Sequence, residues 1–272
     1  MKITVYGLGI IGASVCASLK RAGHTVLGKN RSNAAIEYAL AHGYIDGEAQ
    51  SFEGADAVVL ALPPRACMNI LDREHFPDGC IVTDICGVKA SIEKLVYAKK
   101  RNYRYVGMHP MAGKETSGIA SACVDLFQNK NLIITRCDET DEEAFTTVKQ
   151  LGVDMGFSRI VVCSADEHDK MIALTSQLAH VVSNAYVKSP LTAECQGFTG
   201  GSFQDMTRIA GVDENVWTEL FFLNSANLTS EIKRLCARLT EYADALEADD
   251  EEKMKKLFIE GRQSFTKFEE KK

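Results

Sequence analysis

Up to residue 163, short runs rich in Val, Ile and Leu alternate with longer stretches whose apolar residues recur every three or four positions. The short runs fall at 2–6, 25–28, 57–60, 80–84, 105–108, 131–135 and 159–163. They are apolar at consecutive positions, as strands covered by helices on both faces are. Strand–helix alternation at this spacing predicts an α/β domain over 1–163, a doubly wound parallel sheet with right-handed crossovers. From residue 164 the strand pattern stops. One long helix is predicted over 165–188, with Asp166 and Glu167 in its first turn, where negative charge suits the helix dipole, and with its end ahead of Pro190. Helical periodicity at 213–226, 227–247 and 250–268 makes 164–272 an all-α second domain. The acidic run Asp249 to Glu252 reads as the start of the last of these helices.

Composition narrows the function classes. Against 31 basic side chains stand 37 acidic ones, a net charge of −6 on 272 residues. Nucleic-acid modules are usually basic, so no nucleic-acid partner is expected. No run approaches the length of an apolar membrane helix, and a strand pattern beginning at residue 2 leaves no room for a signal peptide. The nine cysteines form no CxxC pair and no metal-ligand spacing. They read as small buried hydrophobes in a reducing cytoplasm, with no metal site.

The chemistry begins at the N-terminus, where KITVYGLGIIG sets Gly7, Gly9 and Gly12 directly after the first strand. The first glycine permits a tight turn, the second lets the backbone approach a pyrophosphate, and the third lets helix and strand pack closely. A helix over 10–21 then points its free N–H groups at the phosphates. Leu8, Ile10 and Ile11 complete the loop, and Leu62 and Pro63, just past the strand at 57–60, extend the expected cofactor-binding set. The second strand ends in Asn30, Arg31 and Ser32, without the acid that usually holds an NAD ribose. A guanidinium suits a 2′-phosphate, which favours NADP over NAD as cofactor; the alternative is that Arg31 only stacks on the adenine.

Three further segments stand out. His109-Pro110-Met111-Ala112-Gly113 sits at the carboxyl end of a predicted parallel strand, the edge where such sheets bind ligands. Ser176 and His180 lie four apart on one face of the long helix. Gly200 to Ala210 contains Gln204, Asp205 and Arg208, followed by the only Trp, Trp217. Together with the glycine loop and the Asp84…Lys89 segment, these motifs resemble the prephenate/arogenate dehydrogenase family of tyrosine biosynthesis, in the family's order and over essentially the whole chain.

That resemblance implies a Rossmann domain plus a helical dimerisation domain, a homodimer, and oxidative decarboxylation of a cyclohexadienol to a phenol. It makes His109 the base that takes the substrate's hydroxyl proton, a task suited to a neutral imidazole. The other histidines at 24, 42, 75 and 168 have no comparable setting. Arg208 becomes the substrate anchor, with Ser176 and His180 a hydrogen-bonded pair beside the substrate's side chain. Trp217 is implied to reach the site from the partner subunit. The plainer alternatives are a salt bridge of Arg208 with Asp205, a satisfied core histidine at 180, and core packing of Trp217. Gly87 stands where the family commonly has a serine that helps hold the substrate alcohol, leaving a water, Ser117 or a nearby Thr to supply that bond. Gln204 stands where some relatives have Lys; it is neutral and tolerates the keto acid of prephenate or the amino acid of arogenate. Prephenate is the favoured substrate and arogenate the alternative. A β-hydroxyacid or imine oxidoreductase of the same build, with Lys170 as its catalytic residue, is the rival reading. No appended regulatory module is expected.

Overall fold

The structure is a computed structural model that describes residues 1–113 and 118–270. It comprises two compact units, 1–224 and 225–272. The first opens as the pattern predicts: β1 (Lys2–Tyr6), α1 (Ile10–Arg21), β2 (Thr25–Lys29), α2 (Asn33–Ala41), the two-residue β3 (Gly47–Glu48) and β4 (Ala57–Leu60). It continues through α3 (Pro64–Arg73), β5 (Ile81–Asp84), α4 (Ala90–Tyr97) and β6 (Arg104–Tyr105). These strands form a six-stranded sheet in the order β3-β2-β1-β4-β5-β6, every pair parallel. That is the dinucleotide-binding order, in which the chain reverses direction across the sheet between β1 and β4 and leaves a crevice at their carboxyl ends. All four residues of β4 and of β5 are buried, which is why their sequence shows no alternation.

The run at 105–108 does not form one strand. β6 ends at Tyr105 and β7 (Met108–Pro110) starts a second sheet, ordered β7-β8-β9 with β8 (Asn131–Thr135) and β9 (Arg159–Cys163), α5 (Glu142–Asp154) lying between them in sequence. β7 runs antiparallel to β8, a departure from the all-parallel expectation. The chain changes sheets at Gly107, whose missing side chain is required there: a Cβ would lie 2.6 Å from Thr135 Oγ1 and 3.0 Å from the Tyr105 hydroxyl. The break has a functional consequence. It turns β7 so that Met108 and Pro110 are buried while His109, on the opposite face, looks into the crevice.

The remaining helices of this unit are α6 (Ala165–Ile172), α7 (Leu178–Tyr186), α8 (Gly201–Thr207) and α9 (Glu214–Leu223). The single helix predicted over 165–188 is interrupted by a π-helical turn, Ala173–Gln177. In a regular helix every fourth residue drifts by about 40°, so His168, Ile172, Ser176 and His180 would fan through roughly 120°. A wider turn takes part of that drift back, and Ile172, Ser176, Gln177 and His180 all face the same crevice. Asp169 ties these helices to the sheet: its carboxylate accepts the N–H groups of Lys89 (2.8 Å) and Ala90 (3.0 Å) at the start of α4. The Asn224 side chain donates to the Asp169 carbonyl at 2.8 Å.

The second unit is a hairpin of α10 (Ser225–Glu247) and α11 (Glu251–Glu269). The acidic run does start α11, with the Asp250 carboxylate capping the Lys253 N–H at 2.8 Å. Leu246, Phe258, Phe265 and Phe268 remain more than half exposed. Among the described residues no helix is long and apolar enough to cross a membrane.

Candidate active site

A cleft of about 750 Å³ opens at the carboxyl edge of the six-stranded sheet. One wall is the glycine loop. Gly7 adopts φ +103°, where a Cβ would meet the Ala61 carbonyl oxygen at 2.2 Å, and a Cβ on Gly12 would meet the Gly7 oxygen at 1.8 Å. Gly9 differs: a Cβ there would touch nothing. The first and third glycines are therefore demanded by chain packing, while the second leaves its space to a ligand. Gly9, Ile10, Ile11, Gly12, Leu62 and Pro63 line the cleft. Gly7 and Leu8 stand behind it, and Asn30, Arg31 and Ser32 lie beyond it at the end of β2. The Asn30 side-chain oxygen accepts the Leu8 N–H at 3.0 Å, so this residue braces the glycine loop. Arg31 and Ser32 are exposed.

The opposite wall carries His109, Ser176, His180, Arg208 and Trp217. His180 donates from Nδ1 to the Ser176 carbonyl (2.9 Å), so the pair is joined through the backbone. The His180 ring lies 3.7 Å from that of Trp217, centroid to centroid, at an interplanar angle of 32°. This Trp217 belongs to the same chain as the cleft it lines, which corrects the expectation that it arrives from a partner subunit. Arg208, at the C-terminal cap of α8, is the only lining residue among those described that bears a permanent charge. Gln204 is not brought to the cleft; it sits one turn earlier on α8, exposed to solvent. Lys170 is likewise exposed and absent from the lining, which removes the residue that favoured the rival oxidoreductase. Ser117 lies outside the described residues. A Cβ on Gly87 would lie 3.7 Å from His109 Nε2, so in this chain no side chain of residue 87 reaches that nitrogen.

His168, which has no distinctive setting in the sequence, is brought against His109 by the fold. His168 is buried, its Nε2 is 2.9 Å from His109 Nδ1, and its Nδ1 is 2.7 Å from Asp169 Oδ1. Beneath them the fully buried Lys89 ammonium meets Asp84 at 2.5 Å, whose other carboxylate oxygen accepts the Tyr105 hydroxyl. Burial, reinforced by neighbouring His168 and Lys89, drives the His109 pKa well below the ordinary imidazole value. Burial also lowers that of His168, opposed by its bond to Asp169. A proton acceptor near pH 7 must be uncharged, and His109 is held in that state.

Residues 15–161 match the family described as "Prephenate dehydrogenase, nucleotide-binding domain", and residues 164–260 match "Prephenate dehydrogenase, dimerization domain". The chain belongs to the prephenate dehydrogenase family. It is 28% identical over 279 residues to the prephenate dehydrogenase of Lactococcus lactis subsp. cremoris, covering 96% of this chain and 75% of that one. The structure of prephenate dehydrogenase from A. aeolicus in complex with hydroxyphenyl propionate and NAD+ superposes with a TM-score of 0.86 at 26% identity, covering 98% of each chain. Synechocystis arogenate dehydrogenase gives a TM-score of 0.84 at 25% identity, over 98% of this chain and 100% of that one. Membership of this family accounts for both halves of the chain: a nucleotide-binding sheet, and helices that supply the far wall of the cleft.

Proposed function

We propose that this enzyme oxidatively decarboxylates prephenate to 4-hydroxyphenylpyruvate, with a nicotinamide dinucleotide as hydride acceptor. The observation that carries this reading is the neutral His109 imidazole lining one cleft together with the cation of Arg208, with the open space at Gly9 on the other wall. The glycine loop, Leu62 and Pro63 hold the dinucleotide, which when bound accepts the hydride from the substrate's carbinol carbon. Arg208 takes a substrate carboxylate. His109 Nε2 accepts the hydroxyl proton as the carbon–oxygen bond becomes a carbonyl. The bond to the ring carboxylate then breaks, and its electron pair passes through the ring to that oxygen. His109 returns the proton there, giving a phenol and CO₂ with no net proton released. Ser176, His180 and Trp217 flank the substrate's side chain.

Prephenate is favoured over arogenate because no carboxylate side chain lines the described cleft to receive an ammonium group. NADP is favoured over NAD because Arg31 and Ser32 lie exposed at the start of α2, whose first turn carries no acid. A 2′-phosphate gains there from the guanidinium and the free N–H groups. The test is kcat/KM for both substrates with both cofactors. Prephenate with NADP should give the highest value, and a tenfold preference for NAD or for arogenate overturns the corresponding assignment. The working unit is a homodimer, supported by the dimerization-domain match and the exposed apolar side chains of α11. The nine free cysteines suit a reducing cytoplasm.

The pH dependence follows from His109. Its folded pKa lies well below 6.5, so the base stays neutral as pH falls through that value. The acid limb of kcat/KM, which reports the free enzyme, should therefore have its midpoint clearly below pH 6.5. A midpoint at or above that value contradicts the assignment. Because His168 is coupled to His109, the midpoint measured belongs to the pair.

A further inference from the structure

The contacts behind His109 determine more than its charge. Asp169 Oδ1 can only accept, so His168 carries its proton on Nδ1. A neutral His168 then has a bare Nε2, and His109 Nδ1, 2.9 Å away, must be the donor to it. A neutral His109 with its proton on Nδ1 has a bare Nε2. The hydrogen-bond chain runs in one direction because one end is a carboxylate. That carboxylate is itself fixed by two backbone N–H groups of α4, and both partners are closed to competing water, His168 being 1% and Asp169 2% exposed.

We propose that His168, oriented by Asp169, is a positioning residue that locks His109 into the Nδ1–H tautomer and so presents its Nε2 to the cleft as a bare proton acceptor. The proposal rests on reading His109 as the base, but the tautomer itself does not depend on any substrate. Without this lock an imidazole in water divides between two tautomers, and the one bearing Nε2–H cannot take a proton. The same lock fixes the ring's orientation. On the Gly87 side of the ring, Gly87 itself has no side chain and the neighbouring Leu220 methyl cannot hydrogen-bond.

The first measurement is ¹⁵N NMR of the histidine-labelled free enzyme near neutral pH, with His109→Asn identifying the His109 signals. His109 Nδ1 is expected at the protonated position and Nε2 at the unprotonated one; a protonated Nε2 overturns the proposal. The second compares His168→Leu with His168→Gln, whose amide oxygen can accept from His109 Nδ1 while its NH₂ donates to Asp169. The Leu variant should lose roughly 30-fold in kcat with KM and cofactor affinity little changed, and Gln should recover most of the loss. Overturning results are a Leu variant within about threefold of the parent kcat, or a Gln variant no better than Leu. If the parent enzyme fails to turn over prephenate while the NMR result holds, the reaction assignment falls and the positioning role stands. The reverse pattern rejects the lock alone.

Discussion

Replacing His109 with Asn is expected to lower kcat by about 10²–10⁴-fold, the range for losing a general base, while leaving the KM for prephenate nearly unchanged. The side chain stands in the middle of β7, paired across to Ile133, so Asn there keeps the strand and can still donate to His168. What it loses is a basic nitrogen at the cleft. Hydroxyl-proton removal is coupled to hydride departure, and without an acceptor the developing positive charge at the carbinol oxygen has nowhere to go. Stopped assays across pH should show that the residual activity no longer falls with the imidazole titration. A His109→Asn enzyme with kcat within about threefold of the parent rejects His109 as the base.

Replacing Arg208 with Ala should act mainly on binding. A charge-assisted hydrogen bond contributes about 1.5–3 kcal/mol, so KM for prephenate should rise roughly 10- to 150-fold, with kcat falling by less. Arg208 is the sole permanent cation among the described lining residues, and the substrate carries two carboxylates. Its loss removes attraction felt equally by the bound substrate and the transition state, which is the signature of a KM effect. Cofactor affinity should be unchanged, because the glycine loop lies on the other wall. A variant whose KM is unaltered but whose kcat collapses would move Arg208 from binding to the chemical step.

Local constraints were the legible part of this chain. Gly7, Gly9 and Gly12 announce their turn by their spacing directly after a strand, although what demands Gly7 is the Ala61 carbonyl far along the chain, and α1 forms at 10–21 as its periodicity predicts. Strands β1, β4, β8 and β9 likewise match their apolar runs; burial on both faces explains the imprint on composition in β1 and β4, whereas no residue of β9 is fully buried. What the sequence concealed depends on distant partners. Gly107 breaks a strand because Thr135 lies against it, and nothing near residue 107 records that. His168 and Asp169 sit in the middle of the eight-residue α6, where a polar pair looks like solvated surface; their roles come from His109, 59 residues from His168, and from the amides at the start of α4. The π turn is hidden for the same reason, since Gln177 is drawn inward by the Leu220 carbonyl and Asn224. Gln204 was misjudged in the other direction: motif spacing says which turn of helix it occupies but not which way that turn faces.

Coupling of hydride loss to decarboxylation of prephenate in one cleft fixes the ratio of the products. Its most direct test is stoichiometry: prephenate and NADP are mixed with the enzyme, and reduced cofactor, CO₂ and 4-hydroxyphenylpyruvate are quantified together. Equal amounts of all three are expected. Cofactor reduction without matching CO₂, or no reduction with either prephenate or arogenate, would contradict that coupling.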